Sequence, residues 1–242
     1  MYNVNNLTIS DIANCRNGLR DINKNANSME EVAERMVRYF YGQFIDSRTN
    51  KKACALVRIY KTIAYTDLDI NLRIFADSLL TNFPKQDSTR CLTLLATAGE
   101  QPNWNSRKLS AGHKTIPLPS ELVIGRLPMI SQLIKQLGVE INAIIKPDSS
   151  LIVDMSEKLY NVFFIADALG SSYIPAQKDF VIPYGIKSVV GFGSLLPGGD
   201  LLVTILFLRT SISQETAELF KSLALGTKTA VLPFVNRKIF DS

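Results

Sequence analysis

The sequence holds one histidine, one tryptophan and three cysteines in 242 residues, and each scarcity removes a class of chemistry. With His113 as the single imidazole, no Ser-His-Asp triad can be built without it, and a two-histidine metal site cannot form. Cys15, Cys54 and Cys91 are widely spaced, odd in number and include no C-x-x-C pair, which argues against a disulfide framework and a structural zinc site. No apolar run approaches the roughly 20 residues of a membrane span. The longest, Leu201 to Leu208, is broken only by Thr204 and reads as a buried strand. The N-terminus (MYNVNN) lacks a basic region followed by an apolar stretch, so no secretory signal is read and the cytoplasm is the expected compartment. GFGSLLPGG has neither the lysine nor the strand–loop–helix setting of a phosphate-binding loop. The acidic residues show no spacing that suggests a paired acid/base device, so no catalytic residue is assigned.

What is present is an ordinary globular composition. Hydrophobic residues make up 46% and charged residues 20%, enough apolar mass for one sizeable core. The net charge of +5 is dispersed over pairs such as Lys51–Lys52, Arg107–Lys108 and Arg237–Lys238. Without a basic stripe, nucleic acid is not an expected partner.

Ser10 to about Lys24 reads as a thin amphipathic helix on Ile12, Cys15, Leu19 and Ile22, capped by Ser10 and Asp11. Ser28 and Glu31 form a capping-box pattern before Met29, Val32, Met36, Val37, Phe40 and Phe44, predicting a helix to about Ile45. Strands are predicted at 53–64, 90–97, 161–166, 186–195 and 201–208, with a short extended piece at 113–118. Helices are predicted over 70–83, from Pro128 to a stop at Gly138, and from about Gln214 to Leu232 behind a Ser213 cap. Pro197-Gly198-Gly199-Asp200 between two apolar strands predicts a hairpin. Residues 139–155 fit neither period cleanly. The order is α+β: a mostly antiparallel central sheet of about six strands flanked by helices. The chain divides into an N-terminal helical extension, 1–27, and a single domain, 28–242, with an insertion at about 119–160.

From Tyr184 to Val231 the sequence resembles a GAF domain. A strand ends at Leu195, a glycine turn follows, then the strand DLLVTILFL, the capped linker RTSISQET and the amphipathic helix AELFKSLALGTKTAV. The resemblance extends over roughly 28–232, including the glycine-bearing segment GEQPNWNSRKLSAGHKTIPLPS. It implies dimerising helices on one face of the sheet and a ligand pocket on the other. It also implies a cytoplasmic, non-enzymatic sensor of the kind found upstream of PAS and histidine kinase modules in bacterial signalling proteins, acting on a partner protein. Gly112 before His113 excludes covalent bilin attachment there. Two alternatives stand beside this reading: a redox enzyme resembling the free methionine sulfoxide reductases, and an interaction module with no ligand.

Candidate ligand-binding residues are Trp104 and His113 in the long polar connection, and Tyr160, Phe164, Tyr173, Tyr184 and Phe192 around the loop 167–185. His113 could hydrogen-bond a ligand, ligate a haem iron or simply cap backbone groups; the cofactor is left unassigned. The aromatics could equally be ordinary core. The cysteines read as buried and inert, and Cys54 and Cys91 would lie at opposite edges of an antiparallel strand pair. The two long helices carry more apolar surface than one buried stripe needs. A homodimer is therefore expected through Met36, Phe40, Tyr41, Phe44, Leu219 and Leu223.

Overall fold

A computed structural model describes residues 1–80, 87–147 and 160–241. The strands are β1 (Tyr2–Asn3), β2 (Phe44–Asp46), β3 (Lys51–Lys52), β4 (Cys54–Ala64), β5 (Arg90–Gly99), β6 (Thr115–Leu118), β7 (Phe163–Ile165), β8 (Ser188–Leu195) and β9 (Leu201–Leu208). The helices are α1 (Ile9–Asn17), α2 (Met29–Gln43), α3 (Ile70–Leu79), α4 (Glu121–Gly125), α5 (Pro128–Leu137), α6 (Ile141–Ile145), α7 (Gln214–Leu219) and α8 (Leu223–Val231). The fold is α+β, as the element order implied. Its main sheet has six strands in the order β6-β5-β4-β9-β8-β7, every neighbouring pair antiparallel. The smaller sheet β1-β2-β3 ties the N-terminus to the end of α2.

Every residue of β8 and of β9 is buried. That is why these segments read as nearly continuous apolar runs rather than as alternation: a strand covered on both faces has no polar side to alternate with. One face carries the helical layer of α1, α2, α7 and α8, with Phe40, Phe44, Phe192 and Phe220 at its centre. The other, here the loop face, is covered by α4, α5, α6 and the segment 166–186, packed on Leu56, Tyr60, Val203 and Ile205. The segment read as an insertion thus supplies α4–α6 and shares this second core; its residues 148–159 lie outside the described residues, as does the expected end of α3 at Phe83.

Local chemistry accounts for most boundaries. Thr8, rather than Ser10, caps α1, in a reciprocal box with Asp11. Ser28 accepts from Glu31 N at 3.0 Å, but the Glu31 carboxylate turns to Asn27 N at 2.9 Å. Gly138 ends α5 in the left-handed region, φ 74°. The terminal helix is interrupted by a tight turn at Phe220–Ser222, which seats Phe220 between Phe44 and Phe192. The edge strand β7 is closed by a side chain: Gln136 donates to Phe164 O at 3.2 Å and accepts from Phe164 N at 2.6 Å. A π-helical turn at Gln177–Val181 stands where an irregular loop was expected.

The β8–β9 hairpin turns through Gly198 and Gly199 at φ 93° and 82°. Valine at both should destabilise the fold by at least about 1 kcal/mol, because L side chains resist positive φ. Chemical denaturation of the double variant checks this; an unchanged midpoint would reject the strained turn.

Candidate functional site

The loop face carries a polar patch at the middle of the sheet. Arg58 on β4 stands directly opposite Thr97 on β5 and Ile205 on β9, so all three side chains leave the same face. The partly exposed Arg58 donates from Nη1 to Tyr60 Oη and from Nη2 to Ser110 Oγ, each at 3.1 Å. Its Nε is buried without a partner, and so is Thr97 Oγ1 beside it. Among the described residues no carboxylate pairs with this guanidinium. Burying polar groups unmet is costly; Arg90 Nε, Ser194 Oγ and Thr204 Oγ1 are buried without a partner as well, but Arg58 and Thr97 stand directly opposite each other on one face.

The segment 100–114 covers this patch and clasps the C-terminus. Ser110 Oγ also donates to Gly112 O at 3.2 Å. Three residues before it, Arg107 holds Glu30 with both ends of its fork, Nε to Oε1 at 2.6 Å and Nη2 to Oε2 at 3.0 Å. Phe240 lies 4.1 Å from the Arg107 guanidinium. Glu30 Oε2 accepts from Asp241 N at 2.8 Å, and the carbonyls of Lys238 and Ile239 accept from Met29 N and Glu30 N. The last residues thereby satisfy first-turn donors that a helix leaves open. Arg107, Lys108 and Lys114 wall a cleft of about 860 Å³ completed by α3, Phe240 and Asp241.

The residues expected to bind a ligand are not brought together. Trp104 and Tyr184 meet at 4.5 Å between ring centres and form a cluster with Phe180 and Phe207 on the loop face. Trp104 pins the 100–114 segment to the sheet, filling the space where a Gly99 side chain would stand. Tyr160 is buried in the loop-face core. Phe192 is fully buried in the helical layer, and Phe164 packs against that layer too, because alternate residues of a strand point to opposite faces. Tyr173 is exposed. His113 is exposed, at φ 57°. Sequence reasoning missed Arg58 and Thr97; the one available signal was an arginine amid the apolar run ACALVRIY.

Four of the six residues expected at a dimer contact lie in the core of one chain. Met36, Phe40, Phe44 and Leu223 are fully buried within one chain. Part of the apolar surface of the long helices is covered internally by α1 and the turn after it: Tyr39 Oη donates to Cys15 O, and Arg16 and Leu19 press on Gly226. Tyr41 and Leu219 remain partly exposed, with Lys52 over the Tyr41 ring. Exposed Ile9 and Leu225 line a groove with Leu219.

At the hairpin end, Asp200 is shared by the buried Lys61 and by Arg90, and its backbone turn is held by Leu201 N donating to Thr62 Oγ1 at 2.8 Å. Burial, then the Arg90 charge, hold the Lys61 ammonium below its ordinary value. The three thiols are buried, and desolvation pushes each up to about 12. Cys91 pairs with Ile63, at the far end of β4 from Cys54, so these two cannot bond. Among the described residues no cluster of His, Cys, Asp or Glu suits a metal ion, and no helix is long and apolar enough to cross a membrane.

No protein-family model matches the chain, and no curated protein is significantly similar to it.

Proposed function

We propose that this chain is a cytoplasmic, non-catalytic sensory module of the GAF type. It binds a small molecule on the loop face of its sheet and passes the change to a signalling partner. The observation that carries the reading is the unmet pair Arg58 Nε and Thr97 Oγ1 at the centre of that face. The order of elements supports the family: two strands in a glycine hairpin, a capped linker and a closing amphipathic helix, with the helical layer on one face and loops on the other. The link from Arg58 through Ser110 to Arg107 and Phe240 supports an output at the C-terminal segment. Self-association belongs to the same proposal, through the exposed groove of Ile9, Leu219 and Leu225. The redox alternative is disfavoured, since attack needs a thiolate and all three thiols are held protonated in separate places.

Native mass spectrometry of the gently purified chain tests the reading. A retained small molecule is expected; bare polypeptide mass under every mild condition would favour an interaction module with no ligand.

A further inference from the structure

The arginine forks of Arg107 and Arg58 are in different states; Arg90, whose Nε is also buried without a partner, has its guanidinium on the Asp200 carboxylate. Arg107 turns its Nε/Nη2 edge to a carboxylate, Glu30, which fills both positions. Arg58 offers the same edge with Nε empty and Nη2 on the neutral hydroxyl of Ser110. A planar guanidinium edge matches two oxygens of one carboxylate or phosphate, and such paired bonds are the strong ones. Ser110 thus occupies the place of one oxygen of an oxyanion, and Nε–H, the donor to the other, has no partner.

We propose that the Arg58 edge is the recognition site for the oxyanion group, carboxylate or phosphate, of a small organic acid. This rests on the ligand-binding reading above and names the ligand's chemical class. One oxygen bonds Nε–H. The other takes Nη2 in place of Ser110 Oγ, which keeps its bond to Gly112 O. Thr97 Oγ1, unpaired beside the fork, donates to whichever oxygen is nearer. Tyr60 Oη stays on Nη1 and fixes the plane of the guanidinium. Leu56, Leu94 and Ile205 share this face as buried core, so the rest of the ligand reaches them only when the covering segment moves. Because Nε is closed off from solvent while Ser110 is in place, entry of the acid requires the 106–114 segment to shift. Arg107 on that segment moves with it, which carries the event toward Phe240.

The test is a thermal-shift titration of the full chain at constant ionic strength with benzoate, phenyl phosphate and the neutral match benzamide. The melting midpoint should climb with the logarithm of acid concentration for at least one of the two acids, and stay level with benzamide. Whichever acid acts identifies the oxyanion. Arg58→Met should abolish the shift, and Arg58→Lys should weaken binding by at least about tenfold because it keeps the charge but loses the fork. Thr97→Val, a milder change, should also weaken it. The proposal is overturned if neither acid moves the midpoint of the parent protein, if benzamide moves it equally, or if Arg58→Met folds and responds like the parent. Should the acids fail while native mass spectrometry shows a retained neutral compound, the oxyanion falls and ligand binding stands. Should both fail, both fall.

Discussion

Glu30→Ala should lower the thermal midpoint by roughly 6–20 °C, from a loss of about 3–5 kcal/mol in a domain of this size. Both side chains of the Glu30–Arg107 pair are nearly closed to water, 6% and 8% exposed. Alanine leaves the guanidinium buried with Phe240 on one side and Asp69 only at 3.9 Å, too far and too exposed to compensate. The Asp241 amide loses its acceptor as well. The cost is that of an abandoned charge rather than the worth of the pair. Removing both charges, Glu30→Leu with Arg107→Met, should therefore recover much of the loss. Unfolding followed by circular dichroism decides it. A shift of a degree or less in the single variant would mean the pair is open to water, and the clasp between the 100–114 segment and the C-terminus would fall with it.

Phe192→Ala should cost a similar about 3–5 kcal/mol without touching ligand binding. Phe192 is fully buried, with Phe40 at 5.8 Å edge-on and Phe220 at 6.3 Å stacked. Alanine leaves a void among rings that two helices and a strand hold in place, so the site cannot collapse to fill it. Denaturant unfolding should show a lowered midpoint with an unchanged slope. The retained ligand should remain. Loss of the ligand at unchanged stability would put Phe192 in the site and reverse the assignment of the two faces.

Much of the fold is legible in the residues themselves. The apolar runs at 188–195 and 201–208, the Gly198-Gly199 turn, the Ser28 and Ser213 caps and the Gly138 stop each act within a few residues of sequence, and each is where local chemistry puts it. What was not legible depends on partners far along the chain. The apolar surplus of the long helices meets the N-terminal segment, with Tyr39 reaching Cys15 and Gly226 facing Arg16 and Leu19. Aromatics near one loop in sequence went to both faces, because strand residues alternate while sequence proximity does not. Arg58 looks like one polar residue in a strand; only register with Thr97 and the distant Ser110 makes it a candidate site. A bulge between Ile59 and Tyr60 sets that register, and nothing in the local sequence announces it.

The central claim is that the loop face binds a small molecule through Arg58. Native mass spectrometry of the parent chain and of Arg58→Met, purified side by side, tests it most directly. The account predicts a bound small acid on the parent and its loss from a variant that is still folded. An identical retained mass on both proteins, or the polypeptide alone on the parent, would contradict it.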